Sequence, residues 1–221
     1  MKWTRISEHI WSLRAWVLIP VNVWLVKEED GWTLVDAGIG PMAAKITRRI
    51  EAGGHGPLRR IALTHGHSDH VGAITRVLAA FGGDIPVMAH ELEIPYMEGR
   101  QPYPRRKKAA QSVPAGIASA LPTDGQGKLA QVGGLTPLHA PGHSPGHVVY
   151  YHEQDDVMLA GDLFTSSGGR LKRPMAMFTA DMEEALRSAR VVEHIKPGRL
   201  EVCHGGSVLR PAEQIGAYLR Q

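Results

Sequence analysis

In the segment Thr64-His65-Gly66-His67-Ser68-Asp69-His70, three imidazoles and one carboxylate fall within six consecutive positions, directly after the apolar run Ile61-Ala62-Leu63. Imidazole and carboxylate are donors for zinc, and also for iron and manganese. The H-x-H-x-D-H spacing suits two neighbouring ions rather than one. His65 and His67 stand two apart, so extended backbone points both side chains the same way. Asp69 and His70 continue into a turn and face a second ion. Three further donors are found where apolar runs give way to loops. His143 lies in Pro141-Gly142-His143-Ser144-Pro145-Gly146, Asp162 follows Met158-Leu159-Ala160-Gly161, and His204 follows Leu200-Glu201-Val202-Cys203. Loops held by rigid strands commonly carry reactive groups, and neighbouring glycines let backbone approach an ion closely.

The remaining histidines, at 9, 55, 90, 139, 147, 152 and 194, read as ordinary structural or surface residues. His147 is near enough to His143 to orient a ligand. Cys203 directly precedes His204, and adjacent side chains on a strand face opposite ways, so it is expected to be a small buried spectator. Asp36, in Leu34-Val35-Asp36-Ala37-Gly38, reads first as a turn carboxylate accepting from backbone N–H groups.

The elements that must position these donors alternate along the chain. Ala15 to Val26 is rich in Val, Leu, Ile and Trp; Glu28-Glu29-Asp30-Gly31 turns, and Trp32 to Val35 returns as a hairpin. Pro41 to Ile50 is predicted helical, with Pro in its first turn and Gly53-Gly54 beyond its end. Ile61 to Leu63 is a buried strand ending at the histidine loop. Val71, Ile74, Val77 and Leu78 recur at helical spacing, predicting a helix from His70 to Ala80 that stops at Gly82-Gly83. Pro86 to Ala89 is a short strand. A second half beginning near Leu129 supplies strands at Leu138–Ala140, Val148–Tyr151, Val157–Ala160 and Leu200–Cys203. Asp181 and Glu184 form a capping box for a helix with an apolar face of Met182, Ala185, Leu186, Ala189 and Val192. Pro211 to Leu219 is a closing helix. Ile94 to Gln126 is surplus to these elements. It carries Pro95, Pro102, Pro104, Pro114 and Pro122 and the basic residues Arg100, Arg105, Arg106, Lys107 and Lys108. Such an insertion is often a lid, and Tyr96, Tyr103 or an arginine is expected to touch substrate. No predicted ligand lies within it.

With 221 residues and 43% apolar content, the chain fits one domain spanning 1–221. Its single cysteine excludes an internal disulfide. No apolar run reaches the length of a membrane span, and Met1-Lys2-Trp3-Thr4-Arg5 opens no secretory signal pattern, so a cytoplasmic location is the default expectation. A net charge of +3 suits a small-molecule substrate, anionic if charged, and is too weak to argue for nucleic acid.

As an ordered set, Leu34–Gly38, H-x-H-x-D-H, Pro-Gly-His, Gly-Asp and the late His204 resemble the metallo-β-lactamase superfamily over nearly the whole chain. The resemblance implies an α/β fold, a four-layer αββα sandwich. It implies that His65, His67 and His143 bind one divalent ion and Asp69, His70 and His204 a second, with Asp162 and a hydroxide bridging both. Zinc is the first expectation for both ions, iron or manganese the alternatives. Asp69 would orient the hydroxide or shuttle its proton, and Asp36 matches a position that buttresses the metal loops.

Within that family, His67 sets this chain apart from flavin-linked di-iron members, which carry glutamate there. Asp162 sets it apart from classical β-lactam-destroying members. Gly161-Asp162-Leu163-Phe164 with Gly169-Arg170 is similar to glyoxalase II, with Phe one place early and without that enzyme's C-terminal helical region. Quorum-quenching lactonases share the donors but add a tyrosine where this chain has Leu163, Phe164 and Thr165. Small bacterial members share Gly161–Ser166 and Pro174–Thr179, in which Met175, Met177 and Phe178 form either an apolar pocket wall or ordinary core. The implied reaction is hydrolysis of an ester-like acyl bond, a lactone or thioester, rather than β-lactam opening. A mononuclear iron persulfide dioxygenase and a phosphodiesterase or nuclease are the alternatives.

Overall fold

The computed structural model describes residues 1–82 and 84–220. The N-terminal half builds one sheet from β1 (Lys2–Arg5), β2 (Ile10–Trp16), β3 (Pro20–Lys27) and β4 (Trp32–Val35), then α1 (Ala43–Ala52), β5 (Leu58–Ala62), α2 (Ser68–Val71), α3 (Ile74–Phe81), β6 (Val87–Ala89), α4 (Ile94–Met97) and β7 (Ala118–Ala120). The C-terminal half adds β8 (Leu135–His139), β9 (Val148–His152), β10 (Val157–Leu159), the hairpin β11 (Thr165–Ser167) and β12 (Arg170–Lys172), α5 (Met182–Ser188), α6 (Val191–Ile195), β13 (Arg199–Glu201), β14 (Val208–Leu209) and α7 (Ala212–Leu219). The first sheet runs in sequence order from β1 to β7, antiparallel as far as β4 and parallel from there. The second has the order β14-β13-β10-β9-β8.

Strand alternation shows how the layers stack. Along β9 and β10, Val148, Tyr150, Val157 and Leu159 join the core shared with the first sheet, whereas Val149 and Met158 pack with Ala189, Val192, Ile215 and Tyr218 under α5–α7. The two sheets therefore meet face to face with side chains alternating between faces. α1 and α3 contribute Ile46, Ile50, Ile74 and Val77 to the first core. This is the expected αββα arrangement. No described helix is long and apolar enough to cross a membrane.

The structure revises the expected elements in four places. The apolar run from Ala15 to Val26 is two strands, folded back at Trp16–Pro20, because apolar content alone does not mark a tight turn. The expected helix from His70 to Ala80 is broken between α2 and α3. A Cβ on Gly72 would stand 2.7 Å from Ser68 O and 3.1 Å from Gly38 O, and the Ala73 N–H bonds Gly38 O instead of continuing the helix. Gly82 ends α3 at φ 90, as a left-handed stop requires; its expected companion Gly83 lies outside the described residues. The helix opened by Asp181, whose carboxylate accepts from Glu184 N at 3.0 Å, breaks after Ser188 into α5 and α6. Finally, the segment from Ile94 to Gln126 is not wholly a surface excursion. β7 hydrogen-bonds to β6, and Met97, Val113 and Leu121 are buried in the first core.

Asn22 on β3 ties the two sheets together at the end where His204 emerges. It is buried, and its amide lies 2.9–3.0 Å from Val202 O, Cys203 O and Gly205 O. Asn22→Ala removes all three amide contacts, although Cys203 O keeps the Asn22 backbone N–H and Gly205 O keeps Arg14, so it is expected to lower unfolding free energy by about 1–3 kcal/mol. Urea denaturation checks this; an unchanged midpoint would show the tie to be dispensable.

Candidate metal centre

All the predicted donors gather at one end of the sandwich. The chain leaves β5 into the H-x-H loop, and α2 presents Asp69 and His70. The β8–β9 loop carries His143, while Asp162 and His204 follow β10 and β13. Because β10 and β13 run parallel, both deliver their donors at the same sheet edge. One donor atom from each of His65, His67 and His143 falls within 4.8 Å of the others, as do those of Asp69, His70 and His204, and of His65, His70 and Asp162.

The distances between donor atoms are those of shared coordination. Two donors about 2.0–2.1 Å from one tetrahedral ion stand roughly 3.3 Å apart. Here His67 Nδ1 is 3.0 Å from both His65 Nε2 and His143 Nε2. Asp162 Oδ1 is 3.4 Å from His70 Nε2, and Asp162 Oδ2 is 3.4 Å from His143 Nε2 and 3.2 Å from His204 Nε2. Asp69 Oδ2 is 3.3 Å from His204 Nε2. Asp162 thus reaches donors of both predicted sets. His70 Nε2 and Asp162 Oδ1 are buried without a hydrogen-bond partner, an arrangement that is costly unless a cation satisfies both. The donor set fits divalent metal.

The outer hydrogen bonds fix which ring nitrogen faces inward. His70 Nδ1 donates to Asp36 Oδ2 at 2.7 Å and His204 Nδ1 to Pro20 O at 2.8 Å. Thr64 Oγ1 donates to Asp36 Oδ2, so at 3.1 Å it accepts from His65 Nδ1. Thr179 Oγ1 donates to Met175 O, so at 3.3 Å it accepts from His143 Nδ1. In all four rings Nδ1 is thus committed outward, and Nε2 is the nitrogen that faces the centre. His67 uses Nδ1.

Burial, with the neighbouring imidazoles, lowers His65 well below the usual histidine range; burial likewise lowers His67, and His143 to about 3. These rings are neutral, as ligands must be. Burial opposes charge on Asp69 and Asp162, but the neighbouring histidines prevail, holding Asp69 at about 2 and Asp162 well below the carboxylate range. For His70 and His204 burial opposes protonation too, yet the neighbours win and both are raised, His70 by Cys203 and then Asp162, Asp36 and Asp69, His204 by Asp162 and Asp69 with Cys203.

Sequence reasoning undervalues four residues. Asp36 is no simple turn carboxylate: besides Thr64 N it holds Thr64 Oγ1 and His70, so the buttressing role implied by resemblance is the one observed. His147 Nε2 accepts from Asp162 N at 3.1 Å, orienting the backbone of Asp162. Cys203, expected to face away, has its sulfur in the Asp69–His70–His204 cluster. β13 ends at Glu201, so strand alternation no longer governs Cys203. Glu93 has no place in the sequence reading at all. It is fully buried, and its carboxylate accepts from Gly66 N and Tyr103 Oη on one oxygen and from Ser144 Oγ and Gly146 N on the other, at 2.7–2.9 Å. Nothing in its sequence neighbourhood marks it: Glu93 opens α4, and the nearby Glu91 is exposed.

The insertion braces the centre as well. Ser112 Oγ donates to Gly66 O at 2.7 Å, and the Tyr103 ring packs on His67 with centroids 4.8 Å apart. Burial and the Glu93 charge raise the Tyr103 phenol far above its usual range. Arg105 Nη1 donates to Thr179 O and Ala176 O, and Arg106 reaches Met177 O and lies over the Phe178 ring. These arginines are committed to the protein rather than free for substrate. Met177 and Phe178 are 71% and 41% exposed, so they are surface rather than core.

Glu93→Ala would leave four donors, three of them buried, without their acceptor. The expected loss exceeds about 3 kcal/mol of unfolding free energy, with weaker metal retention because the two histidine loops come untied. Urea unfolding and metal content after dialysis read both effects; wild-type values would remove Glu93 from the centre. Because the surroundings of His70 and His204 favour their protonated forms and a cation competes with protons for them, uptake is expected to release protons and to tighten as pH rises. Uptake in weakly buffered solution without acidification would contradict this.

Residues 16–204 match the family model for the metallo-beta-lactamase superfamily. A probable metallo-hydrolase of Bacillus subtilis (strain 168), YybB, is 36% identical over 99% of this chain and 98% of its own length. Hydroxyacylglutathione hydrolase of Shewanella halifaxensis (strain HAW-EB4) is 29% identical over 67% of this chain, which spans only 50% of that enzyme. The solved structure of TTHA1623 in a di-iron-bound form is 27% identical, covers 91% of this chain and 96% of its own, and superposes with a TM-score of 0.68. With the donor geometry, these matches establish that the chain is a metal-dependent hydrolase belonging to the metallo-β-lactamase superfamily.

Proposed function

We propose that the chain binds two divalent ions, zinc first and iron or manganese as alternatives, and hydrolyses an ester-like acyl bond, a lactone or thioester. The observation that carries the dinuclear reading is Asp162, whose two oxygens face donors of both sets. His65, His67 and His143 would hold one ion and Asp69, His70 and His204 the other, with Asp162 between. Such a pair supplies hydroxide at neutral pH and polarises a carbonyl oxygen. Asp69 is the residue for proton movement: its side chain is 36% exposed while that of Asp162 is 5% exposed. Of the two carboxylates, only Asp69 can both touch the centre and exchange a proton with solvent.

The surroundings favour an acyl substrate with an apolar part. Trp16, Val17 and Leu18 at the β2–β3 tip are 71%, 61% and 93% exposed, and the tip runs into Pro20, which holds His204. Met177 and Phe178 stand near Thr179, which holds His143. Apolar surface therefore flanks the donors on the His204 side and the His143 side. A phosphodiester reading needs free cations here, and Arg105 and Arg106 are already engaged. The partial relationship to hydroxyacylglutathione hydrolase, a thioester hydrolase, supports the acyl class without fixing the substrate.

The test compares catalytic efficiency on a thioester, a homoserine lactone, a phosphodiester and a chromogenic cephalosporin with metal-loaded protein. A thioester or lactone is expected to lead by at least tenfold, about 1.4 kcal/mol in transition-state stabilisation. Leadership by the phosphodiester or cephalosporin would reject the assignment. Asp69→Asn is expected to lower kcat by about 100-fold or more, the usual span for a lost proton-transfer group, while the His65–His67–His143 ion stays bound. Normal turnover in that variant would remove Asp69 from the chemistry.

A further inference from the structure

At the opposite end of the sandwich a second donor cluster joins the two sheets. His9 sits in the β1–β2 turn, and its backbone O accepts from Lys27 N at the end of β3. His152 closes β9, and Asp155 lies in the tight turn to β10. His9 Nδ1 is hydrogen-bonded to Asp155 Oδ1 at 2.7 Å; His152 Nδ1 is 3.8 Å from the same oxygen and accepts from Asp155 N at 3.2 Å. The two rings face each other at 5.5 Å with an interplanar angle of 31°. One donor atom from each of the three residues lies within 4.8 Å of the others.

The cluster is shielded but not sealed. The side chains of His152 and Asp155 are 6% and 4% exposed, and that of His9 18%. Both rings line a cavity of about 560 Å³ walled by Lys27, Glu28, Glu29, Asp30, Gly133 and Gly134, among others. Glu28 pairs with Arg60 and Asp30 with Arg59, whereas Glu29 has no ion pair among the described residues. Asp155 Oδ2 is fixed by Ser7 Oγ and His9 N, so the carboxylate cannot swing away. Burial lowers His152 from its usual range, and although burial opposes charge on Asp155, its hydrogen bonds from Ser7 and His9 prevail and lower it too. An ion binding here takes the place of the proton that His9 shares with Asp155 and of the contact from Asp155 N to His152, drawing in three donor atoms that already lie within 4.8 Å of one another.

We propose that His9, His152 and Asp155 form a second, non-catalytic metal site, binding one divalent transition-metal ion with its open position toward the cavity. Two imidazoles and one carboxylate suit zinc, with cobalt as a spectroscopic substitute. The bound ion would cross-link the β1–β2 turn of one sheet to the β9–β10 turn of the other.

The experiment counts zinc by elemental analysis after equilibration with micromolar zinc and gel filtration. The wild-type chain is compared with His9→Gln, His152→Gln and His90→Gln, the last a control at the half-buried ring stacked on His139. The first two are expected to bind one equivalent less than wild type, with catalytic activity unchanged; His90→Gln is expected to lose none. Because the count is a difference, it stands whatever the number of ions at the catalytic centre. Equal counts in wild type, His9→Gln and His152→Gln overturn the site, as does an equivalent lost only in His90→Gln. Should either cluster variant fail to fold, zinc titration of the wild type followed by the ring resonances of His9 and His152 decides. Shifts saturating at one equivalent support the site, and their absence rejects it.

Discussion

Each ring of the catalytic centre, His67 excepted, presents Nε2 inward because its other nitrogen is committed to an outward oxygen. Asp36, Pro20, Thr64 and Thr179 supply those oxygens, and they come from four separate parts of the chain. The donors are therefore pre-set before any ion arrives, and the ordering cost is met by folding rather than by binding. The same constraint explains why the two sheets close where they do. The centre belongs to neither sheet alone: Pro20, from the first sheet, holds His204, which follows a strand of the second.

Glu93 solves the complementary problem of fixing backbone rather than rings. A buried carboxylate is costly unless its lone pairs are filled. Its four donors come from the H-x-H loop, the Pro-Gly-His loop and the insertion. The close packing needed leaves no room for side chains on the partners: a Cβ on Gly146 would stand 2.5 Å from Glu93 N, and one on Gly66 2.4 Å from Met97 Cβ. The glycines beside the ligands thus serve contacts between loops as much as approach to an ion.

The donors are legible in the sequence because their chemistry is concentrated in short runs, and the strands because apolar residues precede each run. Asp36 and Glu93 are not, since a lone carboxylate in sequence gives no sign of the donors that tertiary packing brings to it. The break between α2 and α3 is equally hidden: Val71, Ile74, Val77 and Leu78 keep helical spacing across it, and only Gly38 O, far away in sequence, captures the Ala73 N–H. Cys203 fails for a different reason. Alternation is a property of paired strand, and pairing with β10 stops at Glu201, short of it.

The insertion's attachments bear on how this chain could diverge from its relatives. Met97 and Leu121 root its ends in the core, and Tyr103, Arg105 and Ser112 stitch its middle to Glu93, the Thr179 loop and the H-x-H loop. A segment fastened at such short intervals is braced to the ligand scaffold along its length. Its contour is tied to Glu93 and Thr179. Exchanging it for a relative's segment therefore transplants part of the ligand scaffold as well, and such a chimera keeps its centre only when the anchoring residues travel as one block.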